Sequence, residues 1–418
     1  MTRPLPQPVR IYRVGGSVRD ELLQLPPGDV DWVVVGATPE IMLASGFTPV
    51  GKDFPVFLHP DTHDEYALAR TERKHGRGYR GFEFFATPDV TLEEDLRRRD
   101  LTINAMARGA DGTLIDPYGG ATDLRAGILR HVSPAFAEDP LRVLRVARFA
   151  ARFGFAIADA TLELMREIVA TGELATLKPE RAWQELSRGL CEAHPSRMLR
   201  ALRACGALVA LLPEVDALYA AGRAGDNAGA FTERALDWAA AQRFVLPVRY
   251  AILTQELGNA GAARGASKWP SRRVAVAHAD AISARLKTPL ECRDAARLAA
   301  RFVADAARAD ALAPARVLDV IVATDALRRS ERLDWLIDSA CAHAAAEGAA
   351  ECAAPVLREA LAAVRSVDAS AIARDAVARA AGQSSARRSA VGDAIGVALR
   401  KARLAALRRW RKTGRTDS

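Results

Sequence analysis

Two aspartates separated by one residue, Asp29 and Asp31, run into the apolar stretch Trp32-Val33-Val34-Val35. Side chains alternate across an extended chain, so both carboxylates fall on one face. Two carboxylates side by side repel one another unless a cation lies between them. Hard oxygen donors suit Mg²⁺, which keeps waters and substrate phosphates in its shell. Alone, an Asp-x-Asp is more often a solvated turn. Ahead of it, however, stands Gly15-Gly16-Ser17-Val18-Arg19-Asp20, between a strand-like run and a helical one. Gly15 and Gly16 let backbone N–H groups approach a phosphate, a helix start favours negative charge, and Arg19 adds a fixed cation. A Gly-Gly turn alone is also commonplace. Together the two motifs point to a metal-dependent site for a nucleoside triphosphate.

Two further clusters bear on that site. Arg99, Asp100 and Asn104 would share one face if helical, Asp100 and Asn104 being four apart. Asp139 and Arg142 are three apart, and Arg145 and Arg148 repeat the step, so a helix would display them along one side. One carboxylate with one guanidinium can read a base. The carboxylate accepts from an exocyclic amino group, and the guanidinium donates to the adjacent ring nitrogen. Cytosine and adenine both present that pattern; uracil and guanine present its reverse. Such a pair accepts C and A without a template. The competing readings are a charged helix face for the first cluster and a structural salt bridge for the second. Glu65 is a candidate third acid. His59 and His63 flank Pro60, which disfavours a helical metal pair, and they read as surface histidines.

The elements that must position these residues differ along the chain. Up to about residue 130, short β-rich runs (Val9–Val14, Val30–Val35, Pro55–His59, Glu65–Ala69, Phe82–Phe85) alternate with helical patterns at Val18–Leu23 and Glu93–Arg98. Arg70–Gly81, basic and rich in glycine, reads as a mobile loop between strands. After Pro140 strand signals fade, and Leu141–Phe153, Thr161–Ala170 and Pro179–Leu190 have helical period. Ala220–Ala230 and Gly258–Ser267 read as loops. A final helix is expected from Val391, with Ile395, Leu399, Ala402 and Ala406 on one face. The expected fold is α+β: a catalytic head on a small mixed sheet (1–135), then an all-α neck (136–215), body (216–350) and tail (351–418).

Composition narrows the class. Half of the 418 residues are hydrophobic and 26% charged, as in a soluble globular protein, with no signal-peptide pattern or spanning apolar run. A cytoplasmic protein with no membrane partner is expected. Cys191, Cys205, Cys292, Cys341 and Cys352 are scattered without a CxxC pair, which speaks against a zinc ribbon or a disulfide framework and for reduced thiols. The net charge is +8, and from Lys401 onward seven Lys or Arg (Lys401, Arg403, Arg408, Arg409, Arg411, Lys412, Arg415) face Asp417 alone. A basic end fits a nucleic-acid partner or a merely solvated tail equally well.

The run GGSVRDELLQLPPGDVDWVVVG resembles the head of class II tRNA nucleotidyltransferases, the CCA-adding enzymes. The likeness continues through GKDFPVFLHPDTHDEYALARTE, RRRDLTINAMA, IDPYGG, EDPLRVLRVARFAARFGF and KPERAWQEL, and covers about the first 215 residues. It is closest to the proteobacterial multidomain form. The resemblance implies template-independent addition of C, C and A to the 3′ end of tRNA from CTP and ATP, with release of pyrophosphate. It implies Mg²⁺ on Asp29 and Asp31 as the catalytic centre, and Gly15, Gly16 and Arg19 at the triphosphate. Arg99 would contact the nucleotide, Asp100 and Asn104 its ribose, Asp139 and Arg142 its base, with Arg145 and Arg148 nearby. Arg70–Gly81 would be the loop that reshapes the pocket between C and A.

One departure stands out. Members with this head often carry an HD-type phosphohydrolase domain, whose His-Asp pair falls here on Gln255-Glu256. A degenerate body that keeps the helical scaffold and lacks hydrolase activity is therefore expected. The rival functions are a poly(A) polymerase-type enzyme, which shares the head chemistry, and a non-catalytic RNA-binding relative.

Overall fold

The computed structural model describes residues 5–6, 8–26, 28–50, 56–74, 82–223, 226–259, 271–380 and 391–413. The chain divides into two compact units, Met1–Pro213 and Glu214–Ser418.

The first unit is built on a seven-stranded mixed sheet. Its strands are β1 (Arg10–Val14), β2 (Asp31–Val35), β3 (Thr48–Val50), β4 (Val56–Leu58) and β5 (Glu65–Leu68). After β6 (Thr71–Lys74) and β7 (Phe82–Phe85) come β8 (Ala107–Arg108) and β9 (Leu114–Ile115). The order is β3-β4-β5-β2-β1-β8-β9, while β6 and β7 form a separate antiparallel pair. Of the predicted loop Arg70–Gly81, residues 75–81 lie outside the described residues.

Strand β2 shows why both faces of the sheet are covered. Val33 and Val34 are each 1% exposed, and alternation sends them to opposite sides. Val34 joins Met42, Phe47, Phe57 and Leu68. Val33 joins Val14, Leu92, Leu96 and Ala105. Asp31 has the parity of Val33. It therefore opens toward the side covered by helix α3 (Leu92–Arg97), which follows α1 (Gly16–Leu22) and α2 (Pro39–Ala44) in the chain. A capping box fixes the start of α3: Glu94 N–H donates to the Thr91 hydroxyl and Thr91 N–H to the Glu94 carboxylate.

Beyond α4 (Gly120–Ala126) the unit becomes helical, with α5 (Leu141–Phe153), α6 (Asp159–Ala170), α7 (Pro179–Cys191), α8 (Pro195–Ala204) and α9 (Ala207–Leu211). Helix α5 packs against α7 and α8. Its Val143, Leu144, Val146, Ala147, Ala150 and Ala151 are buried, which leaves Arg142, Arg145, Arg148 and Arg152 as a stripe on the remaining side. At Gly189 any Cβ would strike the Met198 sulfur, so the missing side chain is what lets α7 and α8 meet there.

Among its described residues the second unit is helical apart from the short pair Gly222–Arg223/Asp226–Asn227, which occupies part of the expected loop at 220–230. Helix Leu246–Gln255 is buried against Leu290–Ala306 and Ser330–Ala346. Gln255 and Glu256, on which the HD comparison turned, are both 0% exposed. Glu256 Oε1 lies 3.4 Å from Nδ1 of the equally buried His343. The last helix, Val391–Thr413, starts where the sequence placed it. It is anchored by Ala406 and Leu407, with Leu404 and Trp410 beside them, rather than by Ile395 and Leu399, which are only half-buried. No helix among the described residues is long and apolar enough to cross a membrane.

Candidate active site

A cavity of about 680 Å³ opens in the first unit, and all twelve residues singled out in the sequence line it: Gly15, Gly16, Arg19, Asp29, Asp31, Arg99, Asp100, Asn104, Asp139, Arg142, Arg145 and Arg148. The wall also contains Arg70, Arg98, Leu141, Phe149, Arg152, Arg181 and Arg188. Ten arginines thus face four aspartates, a balance that favours a polyanionic occupant such as a triphosphate.

Asp29 lies just before strand β2, not within it, while Asp31 is its first residue. Burial pushes the Asp31 carboxyl above its ordinary range; the Arg99 charge opposes this and the neighbouring Asp29 carboxylate adds to it. Two like charges share one end of the cavity, and their oxygens fit a hard divalent ion that takes its other ligands from water and phosphate. Glu65 stands in parallel register beside Asp31 on β5. Even so, no cluster of three metal-binding side chains forms among the described residues.

The glycine turn is shaped by its neighbour. Gly15 has φ +69°, and a Cβ there would lie 2.7 Å from Arg99 Nη1. Glycine supplies both the left-handed backbone and the room for that guanidinium. Arg19 is placed differently from the expectation of a cation facing the phosphates. Its side chain is 4% exposed. It donates to Asn104 Oδ1 and, from Nε, to Asp20 Oδ1 at 2.8 Å. Its guanidinium lies 5.2 and 5.0 Å from the Phe149 and Phe153 rings. Burial draws its pKa down, against the pull of Asp20. Arg19 thus joins the glycine turn to α5. Asp20 is shared with Arg152, which donates to its Oδ2 at 3.0 Å.

Arg99, Asp100 and Asn104 do not lie on one α-helix. Helix α3 ends at Arg97, and Thr102–Asn104 is a short 3₁₀ turn. The tighter turn still brings Asn104 Nδ2 within 3.0 Å of Asp100 Oδ1. The other Asp100 oxygen accepts from Arg145 Nε at 2.8 Å. Burial would raise the Asp100 carboxyl, but Arg145, the Asn104 bond and Arg142 outweigh it and hold the group well below the usual carboxylate range. Asp95, with no exposed surface, anchors Arg98 at 2.7 Å and Arg99 at 3.2 Å.

Asp139 precedes α5, and its Oδ1 accepts the Leu141 N–H at 3.0 Å while Oδ2 accepts from Arg181 at 3.1 Å. The carboxylate therefore caps a helix start and faces a guanidinium from α7. Arg142, in the first turn of α5, donates to the carbonyls of Ala135 (2.8 Å) and Arg98 (2.6 Å), not to Asp139. Arg148 donates to Glu185 at 2.6 Å. The residues that single-sequence reasoning missed are thus Asp95, Arg181 and Glu185. The last two stand in the Lys178-Pro179-Glu180-Arg181 and Gln184-Glu185-Leu186 parts of one quoted motif, where alternating charge on an apolar helix was the available signal. His59 makes a local turn, its Nδ1 accepting from the Asp61 and Thr62 N–H groups.

Comparison with known proteins places the chain in a family. Residues 11–130 match the poly A polymerase head domain, and residues 154–219 match the probable RNA and SrmB-binding site of polymerase A. The chain is 55% identical over 345 residues to the multifunctional CCA protein of Nitrosomonas europaea, covering 80% of this chain and 82% of that one. It is 54% identical to the multifunctional CCA protein of Azoarcus sp., covering 88% and 92%. Among solved structures, the Bacillus stearothermophilus CCA-adding enzyme in complex with CTP superimposes with a TM-score of 0.67 at 24% identity, over 98% of this chain and 95% of that one. The Thermotoga maritima CCA-adding enzyme complexed with tRNA superimposes with a TM-score of 0.53 at 23% identity, over 79% and 74%. These two show a shared fold. With more than half of the aligned residues identical over most of both chains, this chain belongs to the family of the multifunctional CCA proteins, the class II CCA-adding nucleotidyltransferases.

Proposed function

We propose that this chain adds C, C and A in turn to the 3′ end of tRNA, using CTP and ATP and releasing pyrophosphate. The observation that carries the reading is the single cavity in which the Asp29/Asp31 pair, the glycine turn and the Asp139 carboxylate open on one arginine-rich space. In the reaction the terminal ribose hydroxyl attacks the α-phosphorus as the bond to pyrophosphate breaks. Asp29 and Asp31 would hold Mg²⁺, which supplies there a lowered pKa for the attacking hydroxyl and neutralisation of the leaving pyrophosphate. Gly15 and Gly16 bring backbone to the triphosphate, and Arg99, held by Asp95, adds fixed charge. Arg19 acts through Asn104 by holding the turn against α5. Asp100 and Asn104, already bonded to each other, present the ribose-recognising edge.

Base choice falls to Asp139 and Arg142. The Asp139 oxygens keep lone pairs to accept an amino group, and Arg142 can exchange one backbone carbonyl for a ring nitrogen. Arg145 and Arg148 support that edge through Asp100 and Glu185. The head (1–135) thus carries the chemistry and the neck (136–215) the base edge. The helical body (216–350) and basic tail (351–418) grip tRNA through phosphates and shape. Gln255 and Glu256 sit in a closed interior, which supports a body without phosphohydrolase activity. The cytoplasm, where tRNA is made, is the proposed location.

The test is purified protein with tRNA lacking its 3′ triplet, given CTP, ATP or both, with the product ends sequenced. CTP alone should yield CC ends and both nucleotides CCA, with UTP and GTP unused. Long A tracts from ATP alone on any RNA would establish the poly(A) polymerase reading instead. Absence of incorporation with Mg²⁺ and intact tRNA binding would leave a non-catalytic RNA-binding protein.

A further inference from the structure

None of the five cysteines is joined in a disulfide, but they do not stand in equivalent surroundings. Cys191 is exposed, Cys205 and Cys292 are buried, and Cys341 and Cys352 are half-buried. Cys341 lies near the end of helix Ser330–Ala346, and Cys352 lies in the segment that leads into helix Val356–Arg365. The chain turns between them at Gly348, whose φ is +77°. Both side chains pack at the edge of the core formed by Leu336, Ile337, Ala340, Ala354 and Leu357. The outcome is direct contact of the two sulfurs, with Cys341 Sγ donating to Cys352 Sγ at 2.7 Å. The sequence spacing, eleven residues with no CxxC, gives no hint of this pairing.

We propose that Cys341 and Cys352 are an oxidation site at which a small disulfide such as oxidised glutathione closes an intramolecular disulfide, tying helix Ser330–Ala346 to the segment before Val356–Arg365. The two thiols are unequal in a way that sets the order of events. Accepting the hydrogen bond from Cys341 draws the Cys352 thiol below its ordinary range, against the effect of burial. Donating that bond, and burial, push Cys341 up. The charged groups facing the pair are Asp338, which raises both thiols, and Arg358, which opposes this at Cys341. Arg358 is itself held by Asp334 at 2.7 Å.

Cys352 is therefore the attacking thiolate. Its sulfur bonds to one glutathione sulfur, the glutathione S–S bond breaks, and one glutathione thiolate leaves. Cys352 no longer accepts a hydrogen bond, so the largest cause of the raised Cys341 pKa disappears. Cys341 then loses its proton to solvent and attacks the Cys352 sulfur, releasing the second glutathione thiolate. Two protein thiols are oxidised by two electrons, one glutathione disulfide is reduced to two thiols, and two protons pass through solvent to the departing thiolates. The step stands independently of the nucleotide-transfer reading.

The test uses the full chain in a series of reduced and oxidised glutathione mixtures, followed by alkylation and peptide mapping by mass spectrometry. The expected product is the peptide that carries both Cys341 and Cys352, about 2 Da lighter than its dithiol form, formed before exposed Cys191 is modified. In Cys341→Ser the reaction should stop at a glutathione adduct on Cys352, and in Cys352→Ser residue Cys341 should stay unmodified. Modification of Cys191 first, with both Cys341 and Cys352 still alkylated, overturns the proposal. So does a Cys341→Ser protein in which Cys352 takes no adduct. The wild-type map needs no variant to fold.

Discussion

Asp100→Asn offers the sharpest test of how the cavity is held together. The substitution keeps the shape and one acceptor but removes the charge that Arg145 meets with Nε at 2.8 Å and Nη2 at 2.7 Å. Breaking a buried charge pair costs about 3–5 kcal/mol when the orphaned partner stays dry. Here Arg145 is 34% exposed, and Glu185 lies 3.7 Å from its Nη1, so part of that cost is recovered. A loss of about 2–3 kcal/mol remains. For a unit of roughly 213 residues this lowers Tm by about 5–10 °C. The sign with pH follows from linkage. The folded carboxyl is held below its unfolded value of 3.8, so its contribution is full above that value and lost as pH falls toward the folded one. The Tm difference between wild type and variant should therefore stay constant from pH 8 to about 5 and shrink only below about 4. Scanning calorimetry across that range, reading the first unit's transition, provides the check. An unchanged Tm at pH 7 would refute the reasoning, as would a difference that vanishes between pH 8 and 6.

Asp29→Ala and Asp31→Ala should each reduce CTP and ATP incorporation by at least about 10³-fold while leaving tRNA affinity in filter binding nearly unchanged. Chelation by EDTA should stop incorporation, and excess Mg²⁺ should restore it. Gly15→Ala places a Cβ against Arg99 at φ +69°, so incorporation should fall by about 10–100-fold, with a stability loss of about 1 kcal/mol by urea unfolding. Arg181→Ala frees the Asp139 carboxylate to rotate, and misincorporation of UTP or GTP relative to CTP should rise several-fold; Arg181→Lys should restore part of the discrimination. An unchanged nucleotide preference in Arg181→Ala would show that the Leu141 N–H alone fixes the carboxylate.

The sequence was most informative where function needs particular atoms at short spacing. Asp29 and Asp31 are two residues apart, and strand alternation alone puts Asp31 on the face of Val33, where α3 covers the sheet. The stripe of Arg142, Arg145, Arg148 and Arg152 likewise follows from helical period and the apolar residues between. Period does not tell which partner an arginine will choose. Arg19 looked like a cation for phosphates because its neighbours were glycines. Phe149 and Phe153 lie 130 and 134 residues away, and only the packing of α5 brings them to 5.2 and 5.0 Å. Arg142 and Asp139 looked like a pair because they are close in sequence. The helix begins between them, so one oxygen of Asp139 caps that start and the other meets Arg181 from α7. The same limit applies to Cys341 and Cys352, whose contact depends on a turn at Gly348 and a shared apolar edge. Short spacing thus specifies which chemistry a cavity can hold, whereas long-range packing decides which side chains do the reacting and which hold them still. Arg19 has moved toward the second group, and the substitution that separates the two roles is Arg19→Lys. A lysine keeps the charge but loses the fixed fork whose Nε and Nη1 meet Asp20 and Asn104, so a role in holding the turn predicts a large loss of incorporation, and a role as a mere phosphate cation predicts a small one.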